Sequence, residues 1–261
     1  MKKNLRRTVM MSEMTWPEYA EQLKSNPVVF IPTGAVEQHG PHLPMGVDYM
    51  LPMAIARDVA EVIDGIVAAP VTYGYKSMPR SGGGPFFPGS TGVDGQTLTM
   101  VVRDIIRELV RHGVRRICVI DGNYENLWFL NEGIDLAMRE VGDKGVRVMC
   151  LQHWDFLTED TLAKIFPDGY PGIELEHAAV LETSLMQHFY PDTVLNDLIP
   201  DNEPAGAPCY DVWPPRREWV PKEGSLVSAA GATAEKGRLM ADQYRHDMSL
   251  AVKKEFYGDS I

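Results

Sequence analysis

The 261 residues carry 25 Lys and Arg against 36 Asp and Glu, a formal charge of −11, and 44% of them are apolar. So acidic a chain argues against a nucleic-acid binder and against a surface that docks on anionic membranes, and it holds no run of about 18 apolar residues to span a bilayer. Cys118, Cys150 and Cys209 show no C-x-x-C spacing, and the basic start Met1-Lys2-Lys3-Asn4-Leu5-Arg6-Arg7 has no long apolar stretch after it, so a reduced, cytoplasmic protein without a signal peptide is expected.

The first element is the apolar run Pro27-Val28-Val29-Phe30-Ile31-Pro32, which reads as a buried strand and delivers Gly34-Ala35-Val36-Glu37-Gln38-His39-Gly40 to a loop. Alternation along an extended segment sends Glu37 and His39 to one side and Gln38 to the other. A carboxylate and an imidazole converging on one point suit a divalent metal, with Asp48 as a third oxygen donor; a hydrogen-bonded structural pair fits Glu37 and His39 equally well. Residues 48–63 have helical spacing (Met50, Leu51, Ala54, Ile55, Val59, Val62). Asp48 is expected as its N-cap, which alone would account for that residue, and Pro52 is tolerated within the first turn.

A second strand is expected at 66–71, followed by a Gly/Pro/Ser loop over 74–92 of a length that tends to be functional. Asp94 caps a helix with the stripe Leu98, Val101, Val102, Ile105, Ile106, Leu109 and Val110, and Gly113 closes it. A strand at 115–121 runs into the polar crossing Asp121-Gly122-Asn123-Tyr124-Glu125-Asn126, then a helix at 127–141 and a strand at 146–151. Strands separated by helices give an α/β class with a mainly parallel sheet, and both polar crossings, at Glu37 and at Asn123, fall at strand carboxyl ends, where such sheets carry their sites.

Trp154-Asp155-Phe156 ends the fourth strand, and Thr158 caps a short helix to 166. Glu174-Leu175-Glu176-His177 leads into a helix running to 189. Residues 191–228, rich in proline and aromatics, read as an irregular excursion at a subunit contact or over a pocket, and a last amphipathic helix covers 233–256. No linker or internal repeat divides the chain, so one domain over 1–261 is expected.

Several of these motifs together resemble the creatininase family: Gly34 to Gly40, Asp48, Tyr73-Gly74-Tyr75-Lys76-Ser77, Ser81-Gly82-Gly83-Gly84, Phe87-Pro88-Gly89-Ser90-Thr91, Gly122-Asn123-Tyr124-Glu125-Asn126, Trp154-Asp155-Phe156 and Glu176-His177. The resemblance covers nearly the whole chain. It implies a layered α/β/α fold, a homohexamer, and a centre of one or two zinc or manganese ions. In that pattern Glu37 is a ligand of one metal, His39 of the other, Asp48 bridges both, and Glu125 joins the His39 metal. Asn123 stands where the family has histidine. An amide oxygen is a weaker donor to zinc than imidazole, so the Glu37 metal is expected to be looser or harder in character, and a single ion at His39, Asp48 and Glu125 also fits.

The resemblance further implies metal-assisted hydrolysis of a small cyclic carbonyl compound, a creatinine-like cyclic amide, with His177 as general acid and Glu176 orienting water or binding metal. Ser81, Gly82, Gly83, Tyr124, Trp154 and Ile173 fall at substrate-contact positions. Ile173 occupies the place of a second family tryptophan and cannot stack on a flat ring. C–C cleavage of an inosose-type cyclic ketone, deformylation, and a degenerate metal-binding homologue therefore stay open. His42, His112, His153, His188 and His246 read as surface or structural.

Overall fold

The computed structural model describes residues 8–142 and 144–258; the basic residues 1–7 lie outside them. Its sheet has four strands, β1 (Val28–Thr33), β2 (Ile66–Val67), β3 (Arg116–Asp121) and β4 (Arg147–Gln152), in the order β2-β1-β3-β4. All pairs are parallel, and the register sets Thr33 beside Asp121 and Asp121 beside Gln152. Three polar side chains thus end in a row at the carboxyl edge. Thr33 Oγ1 donates to Asp121 Oδ1 at 2.9 Å and Gln152 Nε2 to Asp121 Oδ2 at 3.2 Å, which satisfies a carboxylate that the sheet buries completely.

The layered α/β/α class expected from the sequence is what forms. The helices are α1 (Trp16–Leu23), α2 (Val47–Ile63), α3 (Gly95–Arg111), α4 (Leu127–Val141), α5 (Glu159–Ile165), α6 (Val180–Phe189) and α7 (Ala234–Tyr257). Because strand side chains alternate, β1 divides between two cores. Val28 and Phe30 pack with Leu51 and Ile55 of α2, Leu185 of α6 and Tyr244 of α7, while Val29 and Ile31 pack with Leu98 and Val102 of α3 and Leu130 of α4. Fully burying each such side chain contributes about 1.5–3 kcal/mol. No helix among the described residues is long and apolar enough to cross a membrane.

Several sequence expectations change in detail. The second strand is two residues long, with Val71 rejoining β1 only as an isolated bridge to Thr33. Helix α1 was not expected, although Thr15-x-x-Glu18 is a capping box, with Thr15 N donating to Glu18 Oε2 at 2.7 Å. Asp94 does occupy an N-cap position, but its carboxylate pairs with Lys76 rather than with the helix. Helix α6 begins only at Val180, so Glu176 and His177 lie on the turn that leads into it.

The main correction concerns Asp48, which is the second residue of α2 rather than its cap; Gly46 is the cap. Pro52 lies past the first turn. Having no N–H, it leaves the Asp48 carbonyl without its helical donor. That carbonyl is where the ends of β1 and β3 close in: a Cβ at Gly34 would stand 2.2 Å from it and one at Gly122 2.3 Å. Only glycine permits that approach, and it gathers the Glu37, Asp48 and Asn123 segments around one point.

Candidate metal centre

Glu37, His39 and Asp48 are 2%, 0% and 3% exposed, so the three come together in the protein interior. His39 Nδ1 lies 3.1 Å from the Glu37 carbonyl oxygen, which can only accept; Nδ1 therefore carries a proton, and Nε2 is the nitrogen turned to the carboxylates. Nε2 stands 2.9 Å from Asp48 Oδ1 and 3.5 Å from Glu182 Oε2, yet it makes no hydrogen bond, and Asp48 Oδ2 is also without a partner. Buried polar atoms left so are rare without an unseen partner.

The electrostatics point the same way. Burial pushes the Glu37 carboxyl well above its usual range, with Glu125 and Asp48 adding repulsion. Burial also lifts Asp48 to about 6 and Glu125 to about 7. Burial alone would push the His39 imidazole down, but Asp48 and Glu182 more than reverse it. Among the described residues no lysine or arginine forms an ion pair with Glu37, Asp48, Glu125 or Glu182. The His39 ring is the basic group set against these carboxylates, and a divalent cation at Nε2 would take the place of its proton.

Gln38 does not turn away from the site as alternation predicts, because residues 37–39 are irregular rather than extended in a sheet. Gln38 instead organises the site. Its Oε1 accepts the Gly40 N–H at 2.9 Å, which identifies the other amide atom as nitrogen, and Nε2 lies closest to His177 Nε2 at 2.8 Å and Gly224 O at 2.9 Å, with Gly82 O farther at 3.2 Å. His177 Nε2 is therefore an acceptor, and the ring is neutral with its proton on Nδ1. Burial, followed by the nearby His39, pushes its pKa down to about 3. The general acid expected from the sequence is held as a neutral imidazole.

The Asn123 crossing is fixed just as firmly. Asn126 Oδ1 accepts the Tyr75 N–H at 2.8 Å and its Nδ2 donates to Gly34 O at 3.1 Å. Asn123 must then turn its own Nδ2 to Asn126 Oδ1, at 3.0 Å, so its carbonyl oxygen is what it can offer a cation. Glu125 Oε1 accepts from Ser81 Oγ at 2.6 Å and from the Met78 N–H at 3.2 Å.

These groups border a cleft lined by Asp48, Asn123, Glu125, Trp154, Ile173 and His177, with Ser81, Tyr124 and Glu176 also on its wall. Tyr124 stacks near Trp154 and donates to Glu174 Oε1 at 3.1 Å. Gly82 and Gly83 are not on this wall. A Cβ at Gly82 would lie 2.0 Å from Glu37 Oε1, and one at Gly83 2.7 Å from Gln38 Nε2, so the glycines serve close packing behind the site. Glu37 faces a neighbouring cavity, held by Ser77 Oγ at 2.5 Å. Glu176 is buried, with Oε2 accepting the Leu181 N–H at 2.8 Å and Oε1 unpartnered, and burial lifts its pKa to about 8.

Two residues on the cleft wall escaped the sequence reading. His153, expected to be structural, stands beside Trp154 and Tyr244. Glu182 had no reading at all; a carboxylate in the first turn of a helix is commonplace, and only the fold brings it to His39. The excursion after 191 covers the site through Gly224, Ser225 and Leu226: Ser225 Oγ donates to Ala178 O at 2.8 Å and Leu226 N to His177 O at 3.2 Å.

Known proteins resemble this chain over nearly its whole length. The family profile for creatininase, described as creatinine amidohydrolase, matches residues 12–252. Creatinine amidohydrolase of Pseudomonas putida is 44% identical over 255 residues, covering 96% of this chain and 98% of that protein. A mycofactocin precursor peptide peptidase of Mycolicibacterium smegmatis is 30% identical, covering 83% of this chain and 81% of its own. A creatininase solved with manganese and a variant solved in a zinc–zinc form each superpose with a TM-score of 0.93 at 44% identity, over 96% of this chain and 99% of theirs. With matched length, a shared fold and a close relative, this chain belongs to the creatininase family.

Proposed function

We propose that the chain is a single-domain, divalent-metal-dependent hydrolase that opens a small cyclic amide of the creatinine type. The observation that carries this reading is the His39 Nε2 atom, buried and without a hydrogen bond between Asp48 and Glu182. Glu37, His39, Asp48, Asn123 and Glu125 are the residues that would hold zinc or manganese. Such an ion, when bound, polarises a carbonyl and makes water a better nucleophile at neutral pH.

The remaining chemistry belongs to the chain's own side chains. Trp154 and Tyr124 offer aromatic faces to a flat ring, and Ile173 closes the wall with an aliphatic one. His177, its tautomer set by Gln38, donates from Nδ1 to an oxygen that gains negative charge, as a neutral imidazole can. Glu176 keeps a proton near neutrality and is the group to deliver it to the leaving nitrogen. A second reading, hydrolysis of another bond in a small non-aromatic ring or a formamide, is favoured by Ile173. The family resemblance supports a cytoplasmic homohexamer, and exposed Trp16, Trp128 and Trp213 are the kind of surface that association covers.

The test is metal analysis of the purified protein, followed by creatinine opening with zinc or manganese added. Bound divalent metal with enzymatic turnover is expected. Absence of tight metal together with no rate on creatinine, an inosose or a formamide would defeat the hydrolase reading.

A further inference from the structure

Glu182 is the buried carboxylate to which the residue-by-residue resemblance gives no task. It lies in the first turn of α6 with a side chain 16% exposed. Its Oε2 accepts the Ala178 N–H at 2.6 Å. Ala178 is a non-glycine residue with φ +54°, a conformation that costs about 1–3 kcal/mol and persists only when its surroundings hold it. That bond anchors the turn carrying both His177 and Glu182.

Metal–ligand bonds from imidazole and carboxylate to zinc run about 2.0–2.2 Å, so two ligands of one ion, at angles from square to tetrahedral, stand roughly 2.8–3.6 Å apart. His39 Nε2 lies 2.9 Å from Asp48 Oδ1 and 3.5 Å from Glu182 Oε2. Both separations fit two ligands of one ion, and Nε2 makes no hydrogen bond to either. Among the described residues, His39, His177 and Glu182 also form a set whose ligand atoms all lie within 4.8 Å of one another. Glu125, the carboxylate assigned beside His39 by resemblance, makes no ion pair with His39 among the described residues and is not in that set.

We propose that Glu182 is a direct ligand of the His39 ion, forming with His39 and Asp48 a tight site that does not depend on the residue at 123. His177 borders this set and stays free of the ion, since Gln38 occupies its Nε2. The assignment rests on the reading of the centre as a divalent metal site.

Chelator-stripped protein titrated with zinc and with manganese, by competition with an indicator chelator, tests it on wild type, Glu182→Gln and Glu125→Gln. Glu182→Gln should weaken the tighter ion by more than about a hundredfold, beyond the usual effect of a residue that only supports a ligand; Glu125→Gln should weaken it less. Glutamine retains an acceptor oxygen for the Ala178 N–H, so unchanged affinity in Glu182→Gln would show that Glu182 only buttresses the turn, and would overturn the assignment. If neither ion binds wild type, the metal reading itself fails. Should Glu182→Gln not fold, anomalous scattering from a zinc-loaded wild-type crystal decides: a peak within about 2.3 Å of Glu182 supports the assignment, and one beyond about 3 Å overturns it.

Discussion

Asn123 donates through Nδ2 to Asn126 Oδ1 at 3.0 Å, and Asn126 is itself locked by the Tyr75 N–H and the Gly34 carbonyl. The residue that stands in the family's histidine position therefore shapes its loop while offering a cation only a neutral oxygen. On the proposed ligand assignment, replacing it with imidazole should strengthen the hold on an ion at Glu37. Asn123→His is expected to raise bound zinc from about one to about two equivalents, read by elemental analysis after dialysis. Equal stoichiometry in the two proteins would show that Asn123 does not limit the second ion.

Ile173 faces the same cleft as Trp154 but cannot stack. Ile173→Trp should lower KM for creatinine by roughly two- to tenfold, the range an added aromatic contact provides. Steady-state kinetics on both proteins measures this. A higher KM would mean that the aliphatic wall is matched to a different ring.

Gln38 carries a larger burden than its position in the sequence suggests. Gln38→Leu leaves the Gly224 carbonyl and His177 Nε2 without a donor, at a cost of about 1–3 kcal/mol for each buried group. It also releases the His177 tautomer. Turnover should fall by roughly 10²-fold, and the His177 ring nitrogen resonances should shift from a single tautomer to a mixture. Loss of stability with those resonances unchanged would reduce Gln38 to a structural role.

His153 gives a pH effect whose sign can be stated. Burial pushes its pKa down to about 4, from the ordinary value of 6.5. Between those values the unfolded chain binds a proton that the folded chain does not, so stability falls as pH drops through this window, by up to about 3 kcal/mol. Buried carboxylates such as Glu176 have raised values and act in the opposite sense, so the informative quantity is a difference. Urea unfolding of metal-free wild type and His153→Phe at pH 7 and pH 4.5 should show wild type losing more stability on acidification. Equal losses would contradict a neutral, buried His153.

The sheet and both flanking helix layers were legible because strand burial and helical stripes are local signals: the run from Val28 to Ile31 and the α3 stripe through Leu98 and Val102 suffice. The polar crossings were legible too, since parallel sheets place sites at strand ends. Gln38 was misjudged because alternation presumes an extended chain, and the chain leaves the sheet at Thr33. Asp48 was legible as a donor beside His39 but misplaced by two positions relative to its helix, so the cap expected of it falls to Gly46. Glu182 could not be found at all, since nothing near it in the sequence reveals that α6 returns to His39.

The Gly224 carbonyl, bound by Gln38, and the Leu226 N–H, bound to His177 O, fasten the last third of the chain over a centre begun by the first. An unfolded chain has no such juxtaposition, so any ion caught there discriminates strongly for the folded state. Free-metal concentration then sets the melting point: each tenfold excess over the dissociation constant adds about 1.4 kcal/mol. In a metal-poor cell the protein would decline first in abundance, as unfolded chains are cleared, and its metal supply would be read out as protein half-life.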